Sequence, residues 1–179
     1  MAEGGDWSSK YGGGSAAAPP RRPPVYLDYN ATAPCSPEVL RVMLPYFRDV
    51  FGHPSSAHSY GKQPAEAVVA ARASVASLLG CSPSEVVFTS GATESNNWAL
   101  RGAARAARSA APGRKRILIS GVEHPAVTAV VDDLAAKEGF TVTRVGVTRE
   151  GILDLDAFTR ALESEPETVA LVSVMCALA

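Results

Sequence analysis

The segment Phe88-Thr89-Ser90-Gly91-Ala92-Thr93-Glu94-Ser95-Asn96-Asn97 runs an apolar stretch into small residues that then open a helical pattern. Amides at such a helix start lack intrahelical partners and converge with the positive end of the helix dipole, so the junction suits an anion, phosphate above all. Gly91 and Ala92 permit close approach, and the Thr93 hydroxyl adds a side-chain donor. A plainer reading makes Thr93 the N-cap and Glu94 an acid that complements the dipole. On spacing alone that plainer reading is favoured, because short glycine-containing turns are common between strands and helices. The segment spells neither a Walker loop nor GxGxxG, which removes support from an NTPase or a Rossmann dehydrogenase.

A second junction follows at Ile117-Leu118-Ile119-Ser120-Gly121-Val122-Glu123-His124-Pro125. It too lies at the carboxyl end of an expected strand, the edge where open α/β sheets bind ligands. His124 there could stack on a flat ligand or relay a proton near neutral pH. Taken alone, it reads more simply as the cap of a helix beginning at Pro125. Two junctions on one sheet edge, one fitted for phosphate and one for an aromatic ring, together favour a phosphorylated aromatic cofactor.

The elements that would position these residues follow from patterning. Ser36, Pro37 and Glu38 form a helix start, and Leu40, Met43, Leu44 and Phe47 mark one face, with Pro45 expected to kink or end the helix. Ala65, Val68, Val75, Ala76 and Leu79 recur at helical spacing up to a stop at Gly80. Strands are expected at Val86 to Thr89, Ile117 to Ser120, Thr141 to Val147 and Val169 to Met175. Helices are expected from Glu94 to about Ala110, from Pro125 to near Gly139, and from an Asp154 cap to near Glu163. This alternation predicts an α/β fold, a mostly parallel sheet flanked by helices.

Composition bounds the function. The 179 residues are 46% hydrophobic and 20% charged, with 17 Lys+Arg against 18 Asp+Glu. That balance offers no basic footprint for nucleic acid, and no apolar stretch approaches the roughly 20 residues of a membrane span. Cys35, Cys81 and Cys176 lack CxxC spacing; they predict neither a disulfide framework nor a zinc site, fit a reducing cytoplasmic compartment, and read as small, partly buried hydrophobes. No metal site is expected. Residues 1–24, rich in Gly, Ala and Pro, read as a disordered leader, and an organellar targeting role for it is the weaker reading because Glu3 and Asp6 stand at its start.

Four segments then meet in order: Tyr26-Leu27-Asp28-Tyr29-Asn30-Ala31-Thr32-Ala33-Pro34, Phe51-Gly52-His53-Pro54-Ser55-Ser56-Ala57-His58, Thr89 to Asn97, and Glu123-His124-Pro125-Ala126-Val127. Together they resemble the class V aminotransferase-like enzymes, in particular the cysteine desulfurases and selenocysteine lyases, over Tyr26 to Met175. The resemblance implies the N-terminal part of a fold-type I pyridoxal-phosphate-dependent transferase, truncated after the fourth strand of the large domain. It implies a segment 25–60 at the active-site mouth, with Asp28 to Thr32 near it, and an incomplete cofactor-binding large domain over 61–179. Ala92 and Thr93 would hold the phosphate of pyridoxal 5'-phosphate, and His124 would stack on its ring and assist proton transfer. The implied substrate is cysteine or selenocysteine, released as alanine, and the implied full-length form is a homodimer. His53 stands where the family more often has Asn, which affects only the local loop contacts.

In that family an Asn-containing stretch, an Asp for the ring nitrogen, a Schiff-base lysine and a sulfur-accepting cysteine come later in the chain. Lys10, Lys62, Lys115 and Lys137 match none of these positions, nor do the three cysteines. The expectation is therefore an inactive N-terminal portion, whose Val86 to Thr89 strand lacks neighbours and whose isolated chain is marginal, aggregation-prone or partner-dependent. Alternatives are a non-catalytic product that pairs with and modulates a full-length subunit, and another class V aminotransferase or kynureninase-like enzyme.

Overall fold

A computed structural model describes residues 24–176. The expected leader, residues 1–24, lies outside this range apart from Pro24. Contacts divide the chain between Cys35 and Ser36 into two units, each taken by itself. In the first, a turn at residues 29–31 is closed by the amides of Ala31 and Thr32 donating to the Asp28 carbonyl at 3.2 and 3.3 Å. The Tyr26 hydroxyl donates to the Asp28 and Thr32 carbonyls at 2.9 and 3.2 Å, and its ring meets Tyr29 edge-on at 5.0 Å.

The second unit holds α1 (Pro37–Arg48), α2 (Ser59–Leu79), α3 (Ala92–Ala110), β1 (Arg116–Ser120), α4 (Pro125–Glu138), β2 (Thr141–Val145), α5 (Leu155–Glu163) and β3 (Val169–Ser173). Its strands form a parallel sheet in the order β2-β1-β3. The apolar run Ile117–Ile119 makes β1 the central strand, buried on both faces as a continuous hydrophobic strand requires. Ile117 and Ile119 pack with Leu100 and Ala104 of α3, Val127, Val130, Val131 and Leu134 of α4, and Phe140. Ile117 pairs with Val142 on one side and Leu171 on the other.

The expected helix boundaries for α4 and α5 match the local chemistry. Gly139 takes the left-handed conformation, φ 71°, that stops α4, and the Asp154 carboxylate caps α5 by accepting from the Ala157 amide at 2.8 Å. Thr141 to Val147 is strand only to Val145; Val147 instead makes an isolated antiparallel bridge with Leu153.

Three expectations need correction. Val86 to Thr89 is extended but forms no strand, because no strand among the described residues pairs with it. Of the two outcomes expected at Pro45, a kink or an end, the end does not occur: α1 runs on to Arg48. The carbonyl that the missing proline amide leaves free, that of Arg41, can turn to water, since α1 buries no residue. Its apolar face, Leu40, Met43, Leu44 and Phe47, is correspondingly exposed. Cys35 and Cys176 are also exposed rather than partly buried; only Cys81 is intermediate.

Candidate functional site

Gly91, not Thr93, is the N-cap of α3. The Glu94 carboxylate folds back to accept from the Ser90 amide at 2.7 Å and the Ser90 hydroxyl at 2.6 Å. These bonds, the hydroxyl's first, hold the Glu94 carboxyl below its usual range. The Thr89 and Ser95 hydroxyls share a 2.6 Å bond, and Asn97 Nδ2 donates to the Thr93 carbonyl at 3.0 Å. Within this frame the amides of Ala92 and Thr93 find no acceptor among the described residues. Nothing lies within 4 Å of where a Cβ on Gly91 would stand, so the approach to these donors is open.

The β1–α4 turn is fastened on both sides. Toward β2, the Gly121 amide donates to the Val145 carbonyl at 2.7 Å. Toward β3, Glu123 Oε1 accepts from the Ser120 hydroxyl and from the Met175 amide, each at 2.6 Å. His124 then caps α4, its Nδ1 accepting from the Ala126 amide at 3.0 Å. The capping role for His124, weighed against a ligand role from the sequence, is therefore present in the structure, and it leaves Nε2 without a helix partner.

The structure brings Thr93 and His124 onto one groove between α3 and α4, about 630 Å³ in volume, with Asn97, Arg101, Asp133 and Lys137 on its walls. Ala92 is not on that wall; its amide opens the turn on which Thr93 sits. Asp133 bridges the two helices, meeting Arg101 at 2.8 Å and Lys137 at 2.6 Å, and the bonds to Lys137 and then Arg101 hold its carboxyl below the usual range. Further along, Glu138 meets Arg105 at 2.6 Å and Arg108 at 3.2 Å, and its carboxyl is lowered chiefly by the hydrogen bond from Arg105. Arg108 also covers the Phe140 ring at 4.3 Å.

Sequence reasoning did not single out Arg101 and Asp133 as groove residues. The signal was present: Arg101, Arg105 and Arg108 recur at helical spacing, as do Asp133 and Lys137, one turn apart. Among the other described lysines, Lys62 lies in α2 four residues before Glu66, and Lys115 precedes β1 with its backbone bonded to Thr168 and Thr141.

A family model for aminotransferase class-V matches residues 25–178. The chain is 47% identical over 154 residues to a cysteine desulfurase of Cereibacter sphaeroides, an alignment that covers 86% of this chain and 38% of that protein. It is 44% identical over 157 residues to a cysteine desulfurase of Rhodobacter capsulatus, covering 87% and 39%. In three dimensions it resembles a NifS-like protein with a TM-score of 0.71 at 37% identity, over 83% of this chain and 39% of that one. The chain thus spans under two-fifths of the length of these relatives.

Proposed function

This chain belongs to the aminotransferase class-V family and carries part of its fold-type I α/β architecture; on that premise we propose that it is the N-terminal portion of a pyridoxal-phosphate-dependent cysteine desulfurase. The observation that carries the reading is the shared groove of Thr93 and His124. A phosphate held at the start of α3 and a ring beside His124 would occupy that groove together. The residues present fit the cofactor: open amides at Ala92 and Thr93, a hydroxyl on Thr93, and an imidazole opposite them. When bound, pyridoxal phosphate supplies an electron sink that makes the α-proton of an amino acid acidic.

This chain's own residues would bind and orient. Ala92 and Thr93 hold the phosphate, with the dipole of the 19-residue helix α3 behind them. The Glu94 charge is occupied with Ser90 and leaves those two amides to the anion. His124 stacks on the ring, and because its Nδ1 accepts from Ala126, Nε2 is the ring nitrogen left to hold or pass a proton. Substrate cysteine, or selenocysteine in its place, a homodimeric full-length form and a cytoplasmic location belong to the same proposal. No helix among the described residues is long and apolar enough to cross a membrane.

The test is to follow the Ala92 and Thr93 amides by nitrogen-15 spectroscopy while pyridoxal phosphate or unphosphorylated pyridoxal is added. Shifts with the phosphate ester, reversed by inorganic phosphate and absent with pyridoxal, support the cradle; equal responses to both ligands defeat it. None of Lys62, Lys115 and Lys137 matches the family's cofactor-linking lysine, so cofactor bound to this chain should be lost on dialysis. Retention of a visible absorbance band after dialysis would overturn that part. Alanine release from cysteine by a preparation in which this chain is joined by the rest of its subunit tests the activity itself.

A further inference from the structure

Glu123 stands beside His124 in sequence, yet its own bonds run away from the groove. Its Oε1 accepts from the hydroxyl of Ser120, a residue only 2% exposed, and from the amide of Met175, each at 2.6 Å. Oε2 lies 3.5 Å from the Ser173 hydroxyl. Met175 is beyond the last residue of β3, so the sheet ladder does not use its amide. The register sets Ile119 of β1 beside Ser173 of β3, which brings the two strand ends level. The carboxylate therefore ties the turn that carries His124 to the end of a strand 50 residues further along the chain, as the Gly121 amide ties it to β2.

We propose that Glu123 is a positioning residue for His124: it fixes the β1–α4 turn against the end of β3 and so holds the imidazole on the groove opposite Thr93. The proposal rests on the reading of His124 as the ring-stacking group. Both short bonds fall on a single oxygen, which gives the residue a distinctive chemistry. A glutamine keeps that oxygen as a carbonyl and can turn its amide toward Ser173, whereas an alanine loses both acceptors. The freed turn could then swing, and the cap bond from Ala126 to His124 Nδ1 would no longer be held in one geometry.

The experiment uses the full 179-residue chain uniformly labelled with nitrogen-15, as wild type, E123Q and E123A. The wild type is expected to show widely separated Nδ1 and Nε2 signals for His124, the mark of one fixed tautomer. E123Q should keep that separation, and E123A should collapse it toward the average while hydrogen exchange at the Met175 amide speeds up on the order of ten- to a hundredfold. An E123A chain with a faster Met175 amide but an unchanged His124 spectrum would show a merely structural bond and overturn the proposal. So would an E123Q chain that behaves like E123A. If E123A does not fold, Met175→Pro removes the donor alone and must collapse the His124 separation in the same way. The reading beneath the proposal is judged apart, on the wild type: pyridoxal phosphate that leaves the Ala92, Thr93 and His124 signals unmoved defeats the cofactor reading, while the variants still decide the role of Glu123.

Discussion

Gly52 packs so closely against the backbone carbonyl of Tyr60 that a Cβ at residue 52 would stand 1.9 Å from the oxygen. The contact has a cause four residues on. Pro64 lies inside α2 and has no amide to give the Tyr60 carbonyl, so the first turn of the helix leaves that oxygen for a glycine to approach. Gly61 repeats the arrangement, its absent Cβ falling 2.1 Å from the Ser56 carbonyl oxygen. The loop between α1 and α2 is thus closed by backbone meeting backbone where side chains are missing.

Gly52→Ala should therefore shift the loop or the start of α2 and cost about 1–3 kcal/mol, the usual range for overpacking. Gly113→Ala, at a glycine with nothing within 4 Å of its Cβ position, serves as the control and should stay within about 0.5 kcal/mol of wild type. Denaturant midpoints of the two variants check the difference; equal midpoints would show that the loop yields without cost.

The α3–α4 contact should be acid-labile. Asp133 and Glu138, whose ion pairs join α4 to α3, both have carboxyls held below their usual range by hydrogen bonds that need the charged form. A carboxyl lowered in the folded chain binds its proton more readily when unfolded, so its contribution is present above the ordinary carboxylate range, about 4, and is lost as pH falls through the folded value. The thermal midpoint should be level near neutrality and drop on acidification below that range. Glu138→Gln should lower the midpoint at pH 7 and flatten the drop, because Arg105 and Arg108 then lose their charged partner at every pH. A profile with the same slope in wild type and variant would remove Glu138 from the account. High salt should weaken the same contact, since these pairs are partly exposed.

How far the sequence could be read depends on how local each cause is. The α4 cap at His124, its stop at Gly139 and the Asp154 cap are decided within four or five residues, and all were legible. The β1 strand announced itself as an apolar run because it is covered on both faces. Val86 to Thr89 carries the same β-prone residue types but no neighbour among the described residues, and pairing cannot be read from one strand alone. Glu123 was visible only as half of a Glu-His pair, since its partners Ser173 and Met175 lie 50 and 52 residues away. The capping of α3 by Gly91 rather than Thr93 was a shift of two residues, within the usual uncertainty of helix ends.

Thr93→Ala should weaken the binding of pyridoxal phosphate and leave the fold alone. The Thr93 side chain makes no hydrogen bond among the described residues, and its backbone amide survives the substitution. The expected loss is that of one hydrogen bond to a charged group, about 1.5–3 kcal/mol, or roughly ten- to a hundredfold in affinity. Pyridoxal without its phosphate should bind wild type and variant equally. A variant that loses affinity for both ligands in the same proportion would place the contact on the ring and not on the phosphate.

The extended segment after α2 gives a last test, one of solubility. Arg72 engages one side of it, with Nε donating to the Val86 carbonyl at 3.2 Å and the guanidinium 5.4 Å over the Phe88 ring. Val87 and Thr89 face the other way, into a shallow groove shared with Ser95 and Trp98 of α3, and Val87 remains 54% exposed. An unpaired extended segment with apolar side chains in water is a template for a second chain, and a charge on it is the usual remedy. Val87→Lys should raise the soluble fraction of the chain and slow its loss on standing, with the denaturant midpoint moved by no more than about 0.5 kcal/mol. Light scattering over time and a denaturation curve on the same samples separate the two effects. If the midpoint falls well beyond that margin while scattering is unchanged, Val87 is packed against Trp98 in solution and is not the surface through which chains associate.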